Sequence, residues 1–254
     1  MFNQLSGITT IAIFVSLLNF FPVAGAADLQ STVAQTSLTK PSKAPKPLQK
    51  LPKYDAVELS GVGDLYISQS EEEGVTVEAE DSVLSLIKVS VDNKTLLLNL
   101  KDASEHTEAK ITYHLYVKDL QKVTSNSTST LYMSGPFKTK TLNLLMGGLG
   151  EAKLDVAVDQ LNVKIDGGAK IVAKGVANTQ NIIINGAGEF DGVKLLGKTA
   201  AISANGSGLA KANISDQLDI KAYEDAIVKY CGKPAITKDT SGHALLMPLP
   251  KSSC

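Results

Sequence analysis

The sequence predicts an all-β solenoid with about 19 residues per coil, and two observations carry that prediction. A short pattern recurs through residues 142–230, centred on Gly148-Leu149-Gly150, Gly167-Gly168-Ala169, Gly186-Ala187-Gly188, Gly206-Ser207-Gly208 and Glu224-Asp225-Ala226. The steps between centres are 19, 19, 20 and 18 residues. A fixed period in this range marks a solenoid, because one repeat cannot bury its apolar side without stacking on its neighbours. The second observation is alternation. Met146, Ile165, Ile184, Ala204 and Ala222 stand two residues before the first centre position, and Ala152, Ile171, Phe190, Ala210 and Val228 stand four after it. The columns between are polar, with Asn143, Asn162, Asn181 and Asp219 in one and Asp166, Asn185 and Asn205 in another. A two-residue period belongs to strands, so alternate columns face a narrow core and water.

The centres themselves need small residues. Gly148, Gly167, Gly186 and Gly206 share one column, and Gly150, Gly188 and Gly208 share another with Ala169 and Ala226. Both columns fall on the inward parity, where a side chain would meet the opposite wall of a thin coil. Asp166-Gly167, Asn185-Gly186 and Asn205-Gly206 are also turn dipeptides. A phosphate-cradling loop is the rival, but no Lys-Ser/Thr follows the glycines and no helical pattern opens after them.

In chain order, Ile8–Phe21 is an apolar run followed by Pro22-Val23-Ala24-Gly25-Ala26. Residues 1–26 read as a signal peptide cleaved between Ala26 and Ala27. The run is short for a membrane span, so the mature chain is expected to have none. Residues 1–10 lack Lys and Arg, which leaves a retained N-terminal anchor as the alternative. Residues 27–53 alternate Pro41, Pro45, Pro47 and Pro52 with lysines and read as an extended, solvated linker.

The repeat domain is expected over 54–246. It opens with Val57, Leu59, Gly61, Gly63, Leu65 and Ile67 in alternation. An excursion at 71–118 then gives four strands, at Val75–Ala79, Lys88–Val91, Thr95–Leu100 and Lys110–Val117, with a helical turn near Val83–Ile87. This inserted β-layer, placed after the first coil, would cover that coil's unpaired edge. The repeat resumes at Leu120, with Ser127 and Ser129 where glycines stand elsewhere. After Val228 it decays into a turn at Tyr230-Cys231-Gly232-Lys233-Pro234, a last coil around Gly242, and a proline-containing tail at 247–254.

The segment Tyr54-Asp55-Ala56-Val57-Glu58-Leu59-Ser60-Gly61-Val62-Gly63-Asp64-Leu65-Tyr66-Ile67, followed by Val75-Thr76-Val77-Glu78-Ala79, resembles the opening of the "putative autotransporter adhesin, head GIN domain" family. The later Gly-x-Gly centres and the Tyr230–Pro234 turn are similar to that family's closing repeats, so the resemblance covers about 54–246. It implies an exported bacterial protein with a right-handed β-helix-like fold and no established chemistry. Ser127, Ser129, Glu224 and a second cysteine depart from the pattern.

Composition bounds function. The net charge is −1, which gives no broad basic field for nucleic acid. All 25 basic residues are lysine, so the bidentate fork of arginine is missing, and tryptophan is absent. His106, His114 and His243 show no metal-ligand spacing, and no metal or cofactor is expected. Gly147-Gly148-Leu149-Gly150-Glu151-Ala152 resembles a calcium nonapeptide only superficially, having Ala152 where that motif needs Asp. Glu71-Glu72-Glu73 reads as a solvated hairpin tip. Ser207 lies in a coil turn and not in a nucleophile elbow. The expectation is therefore a non-catalytic envelope or surface protein, periplasmic, outer-surface or secreted, that meets a protein or glycan through outward ladders. A polysaccharide-active β-helix enzyme of the lyase kind is the alternative.

Two further expectations follow. Glu151, Lys170 and Glu189 fall in one outward column and should pair across coils. Cys231 and Cys254, the two cysteines of an exported chain, read as an internal disulfide pinning the tail across the last coil. The rival is a buried Cys231 with Cys254 free or linking two chains.

Overall fold

The alternation written into the sequence becomes one continuous, largely parallel sheet wound into coils. The computed structural model describes residues 51–254. The strands in chain order are β1 (Ala56–Ser60), β2 (Asp64–Gln69), β3 (Gly74–Glu78), β4 (Ile87–Asp92), β5 (Thr95–Leu100), β6 (Thr112–Val117), β7 (Lys122–Ser125), β8 (Thr130–Gly148), β9 (Glu151–Gly167), β10 (Lys170–Gly186), β11 (Glu189–Gly206), β12 (Leu209–Ala222), β13 (Ile227–Cys231), β14 (Ala235–Thr240) and β15 (Leu245–Pro248). A single helical turn, α1 (Asp81–Leu84), lies between β3 and β4. Together they make a β-solenoid of about seven turns, with ~19 residues per turn.

The register is that of the sequence repeat. Asn162 sits opposite both Asn143 and Asn181, and Gly167 opposite both Gly148 and Gly186. Inside, the apolar columns stack into one core, including Met146, Ile165, Ile184, Ala204 and Ala222, all fully buried. Stacked apolar columns bury their side chains against apolar neighbours on both sides, which no single coil could do alone.

The glycine centres correct the inward assignment of their first column. Gly148, Gly167 and Gly186 are exposed and Gly206 is half-buried, whereas Gly150, Gly188 and Gly208 are buried. Two consecutive residues, such as Gly167-Gly168 or Gly186-Ala187, point outward and turn the corner. Gly186 shows why glycine stands there. Its φ is +112°, and a Cβ would lie 2.8 Å from the Gly167 carbonyl oxygen of the coil beneath. The second column does face the core, where a Cβ on Gly188 would lie 2.5 Å from Cγ2 of Ile165.

A second corner was not visible in the strict alternation. Buried Val158 and Leu161 flank outward Asp159 and Gln160, and buried Ala177 and Gln180 flank outward Asn178 and Thr179. The parity slips by one residue here without a glycine. Strand register also shifts between Met133 and Phe137, between Val172 and Lys174, and between Gly192 and Leu196, so the coils bend on a further side through bulges.

The 71–118 segment lies at the amino-terminal end and does more than cap it. β5 runs parallel to β1 and β6 parallel to β2, so this pair is itself a coil, placed outside the coil that precedes it in sequence. β4 and β3 then pair antiparallel with β5 and β6, and form the covering layer. The chain returns to stack β7 and β8 on the other side of β1 and β2. At the far end, β14 pairs with β12 and β15 with β13. All six residues of β14 are exposed, with Lys238 on the strand and Pro234 before it, a common way to blunt an open edge.

Candidate functional site

Outward columns are where this fold can meet a partner, and their side chains are set by register. The column of Asn143, Asn162 and Asn181 forms a hydrogen-bonded ladder. Asn143 Nδ2 donates to the Gln121 carbonyl at 2.9 Å, Asn162 Nδ2 to Asn143 Oδ1 at 2.8 Å, and Asn181 Nδ2 to Asn162 Oδ1 at 2.7 Å. A second ladder joins Asn205 to Asn185 and Asn185 to Asp166. The Lys164 ammonium, with Asn185, holds the Asp166 carboxyl below its ordinary value. These ladders fix coil against coil.

The charge column behaves in part as its spacing predicts. Lys170 lies opposite Glu151 and Glu189 in register, and its Nζ is 3.4 Å from Glu189. Glu151 turns instead to Lys153, at 3.5 Å. Lys211 joins Glu189 at 2.8 Å and Asp191 at 3.0 Å, which lowers the Glu189 pKa and raises that of Lys211.

An aromatic stack on the same face went unread in the sequence. Tyr66 stacks between Tyr132 and His114, with ring centroids 4.6 and 5.3 Å apart, and Lys153 lies over the Tyr132 ring. The signal was present, because Tyr66, Tyr132 and Lys153 each stand three residues after the second centre position of their repeat.

The second corner carries a shallow depression of about 560 Å³, lined by Lys138, Thr139, Lys140, Ala157, Val158, Asp159, Val176 and Asn178. A continuation of about 350 Å³ shares Thr139 and Lys140 and adds Asp119, Gln121 and Thr141. Both carboxylates there are tied to neighbours: Thr139 Oγ1 donates to Asp119 at 2.8 Å and Asn178 Nδ2 to Asp159 at 3.4 Å. Among the described residues neither Lys138 nor Lys140 has a carboxylate partner.

The remaining residues singled out in the sequence are dispersed. Cys231 and Cys254 are joined by a disulfide with Cα atoms 5.8 Å apart. The bond anchors the short 3-10 turn Lys251–Ser253, which follows β15, to β13. His243 contacts Asp225 at 3.2 Å, Glu71 pairs with Lys118, and Ser207 lies exposed at a corner. Among the described residues no group of three His, Cys, Asp or Glu is placed to hold a metal ion, and no helix is long and apolar enough to cross a membrane. Ala26 and Ala27, the expected cleavage site, lie outside the described residues. Burial pushes the hydroxyls of Tyr54 and Tyr113 up to about 12, and both belong to the core.

Set against known families, residues 53–234 match the model described as "Putative auto-transporter adhesin, head GIN domain". The chain belongs to that family. Its fold is shared with solved structures, among them a "putative adhesin" from Bacteroides fragilis, 20% identical, with a TM-score of 0.70 over 82% of this chain and 99% of that one. A "putative lipid binding protein" from Parabacteroides distasonis is 17% identical, with a TM-score of 0.67 over 82% and 98% of the two chains. Another "putative adhesin" from Parabacteroides distasonis is 18% identical, with a TM-score of 0.64 over 81% and 96%. The comparison with curated proteins returns no match.

Proposed function

We propose that this GIN-domain protein is an exported, non-catalytic binding module of the bacterial cell envelope or surface, adhesin-like in action. The observation that carries the reading is the stack of outward columns. Two of them are hydrogen-bonded ladders whose side chains come from successive coils and stay partly exposed. A scaffold of this kind presents a pre-ordered surface to a large partner, so little conformational freedom is lost on binding. Family membership and the adhesin names of its structural neighbours support the same reading. Export rests on the apolar run Ile8–Phe21 ahead of Ala24-Gly25-Ala26, and agrees with an adhesin-type family.

Two measurements test it. Fractionation of cells producing the full chain should place it outside the cytoplasm, starting at Ala27. Purified protein incubated with cell-envelope extract should bind saturably and leave the recovered ligand chemically unchanged. A cytoplasmic protein would sink the export reading. Unsaturated sugars released into solution would replace it with an enzyme.

A further inference from the structure

We propose that the tyrosine platform on β2, β6 and β8, formed by Tyr66, Tyr116 and Tyr132 around Ser68 and Ser134, binds a neutral glycan. The assignment rests on the binding-module reading and names the partner class. Register, composition and charge each bear on it.

Register gathers the rings. This wall of the first coils runs in the order β3, β6, β2, β8. His114 lies opposite Tyr66 and Tyr66 opposite Tyr132, while Tyr116 lies opposite Ser68 and Ser68 opposite Ser134. Three of the chain's seven tyrosines thus share one face. At about 4.8 Å per strand, the wall spans roughly 14 Å from β3 to β8. Tyr66 is clamped between Tyr132 and His114, so its ring is fixed before any ligand arrives. Tyr116 is open instead. Directly across from it stand Gly74, where an added Cβ would meet nothing within 4 Å, and the short Ser68. Its side of the platform has room for a ligand ring, and Tyr116 is 41% exposed.

Composition points to a sugar. Along the outward positions of β3, β6, β2 and the start of β8, every residue but Gly74 is Tyr, His, Ser, Thr, Asp or Glu. A pyranose uses that mixture: its C–H face packs on an aromatic ring, and its hydroxyls bond to hydroxyl and carboxylate groups. The Ser68 and Ser134 hydroxyls, 2.9 Å apart, lie in the row of Tyr116. No aliphatic side chain stands at these outward positions, whereas a lipid chain or the dry centre of a protein interface needs apolar surroundings. Strand addition by a peptide is also closed here, because β6 and β2 are paired on both sides.

Charge points to a neutral sugar. The same positions hold Asp64 and Glu78 but no lysine. Lys153, over the Tyr132 ring, is paired with Glu151 at 3.5 Å. A polyanion would meet carboxylates with no free ammonium to offset them.

The test measures binding of the full chain to galactomannan, laminarin and dextran as neutral glycans, with polygalacturonate as the acidic one and phosphatidylcholine vesicles as the lipid. The wild type should bind at least one neutral glycan saturably, undiminished by high salt. Tyr116→Ala should weaken that binding roughly tenfold, the scale of one lost ring contact. Tyr116→Phe keeps the ring and should retain most of the binding. Ser134→Leu, which fills the space among the rings and removes none, should weaken it as well. Leu149→Ala trims an exposed apolar side chain outside the platform and should bind as the wild type does. Thermal melting of each variant separates lost binding from lost folding. Wild-type binding by both folded Tyr116→Ala and Ser134→Leu would overturn the assignment, as would a preference for polygalacturonate or vesicles. A wild type that binds envelope extract but no neutral glycan would overturn it too, while leaving the binding-module reading in place. Failure to bind either would remove both.

Discussion

Asn162 is the centre of the asparagine ladder, and removing it tests how the coils are held. Its side chain makes three hydrogen bonds: it donates to Asn143 at 2.8 Å and accepts from Asn181 at 2.7 Å and from Gln160 at 2.9 Å. A half-buried amide hydrogen bond contributes about 0.5–1.5 kcal/mol net, so Asn162→Ala should cost about 2–3 kcal/mol. Asn181→Ala removes one of the three bonds and should cost about 1 kcal/mol. The double variant is the sharper measurement. Because the bond between the two residues is already lost in Asn162→Ala, adding Asn181→Ala should cost almost nothing more. That corresponds to a coupling of about 1 kcal/mol. Guanidinium titration followed by circular dichroism gives all four values. If the two single costs simply add, the ladder does not carry coil-to-coil stability and the argument fails.

Gln180 is fully buried in a column with Leu161 and Ala200, and its Oε1 has no partner. Gln180→Leu should therefore raise stability by about 1–2 kcal/mol, and a lowered denaturation midpoint would refute the assignment. Gly186→Ala forces a left-handed φ onto a side chain and brings a Cβ to 2.8 Å from the Gly167 oxygen. It should cost about 2 kcal/mol or more in a thermal melt. The Lys211 ammonium depresses the Glu189 pKa below its ordinary 4.5. The stability it brings is complete above that value and is lost as pH falls through the lower folded-state value, and Lys211→Met should flatten that acid limb. Cys254→Ser should lower stability by up to about 3 kcal/mol and speed hydrogen exchange at Leu245–Pro248, while β9 and β10 keep their protection.

The legibility of the sequence followed the physics of each element. The 19-residue register could be read because Asn143, Asn162 and Asn181 repeat both identity and spacing, and the structure stacks them directly. The first corner was located, but with Gly186 facing inward. Alternation alone cannot show that two successive residues turn outward when one of them is glycine. The second corner left no such mark, because Asp159-Gln160 and Asn178-Thr179 turn it with ordinary residues. The depression there left no mark either, because nothing in the alternation around Lys138 and Lys140 signals the bend that sets them beside Ala157 and Val176. The placement of β5 and β6 as a coil outside β1 and β2 depends on chain order in space, which no local pattern encodes.

Amine labelling tests the central claim, that an ordered outward face is the binding surface, most directly. Every basic residue is lysine, so acetylation read by mass spectrometry reports on many positions around the exterior. With envelope ligand bound, protection should gather on one face across adjacent coils. Protection spread evenly over all faces, or confined to Lys233, Lys238 and Lys251 near the carboxyl-terminal coil, would contradict the account.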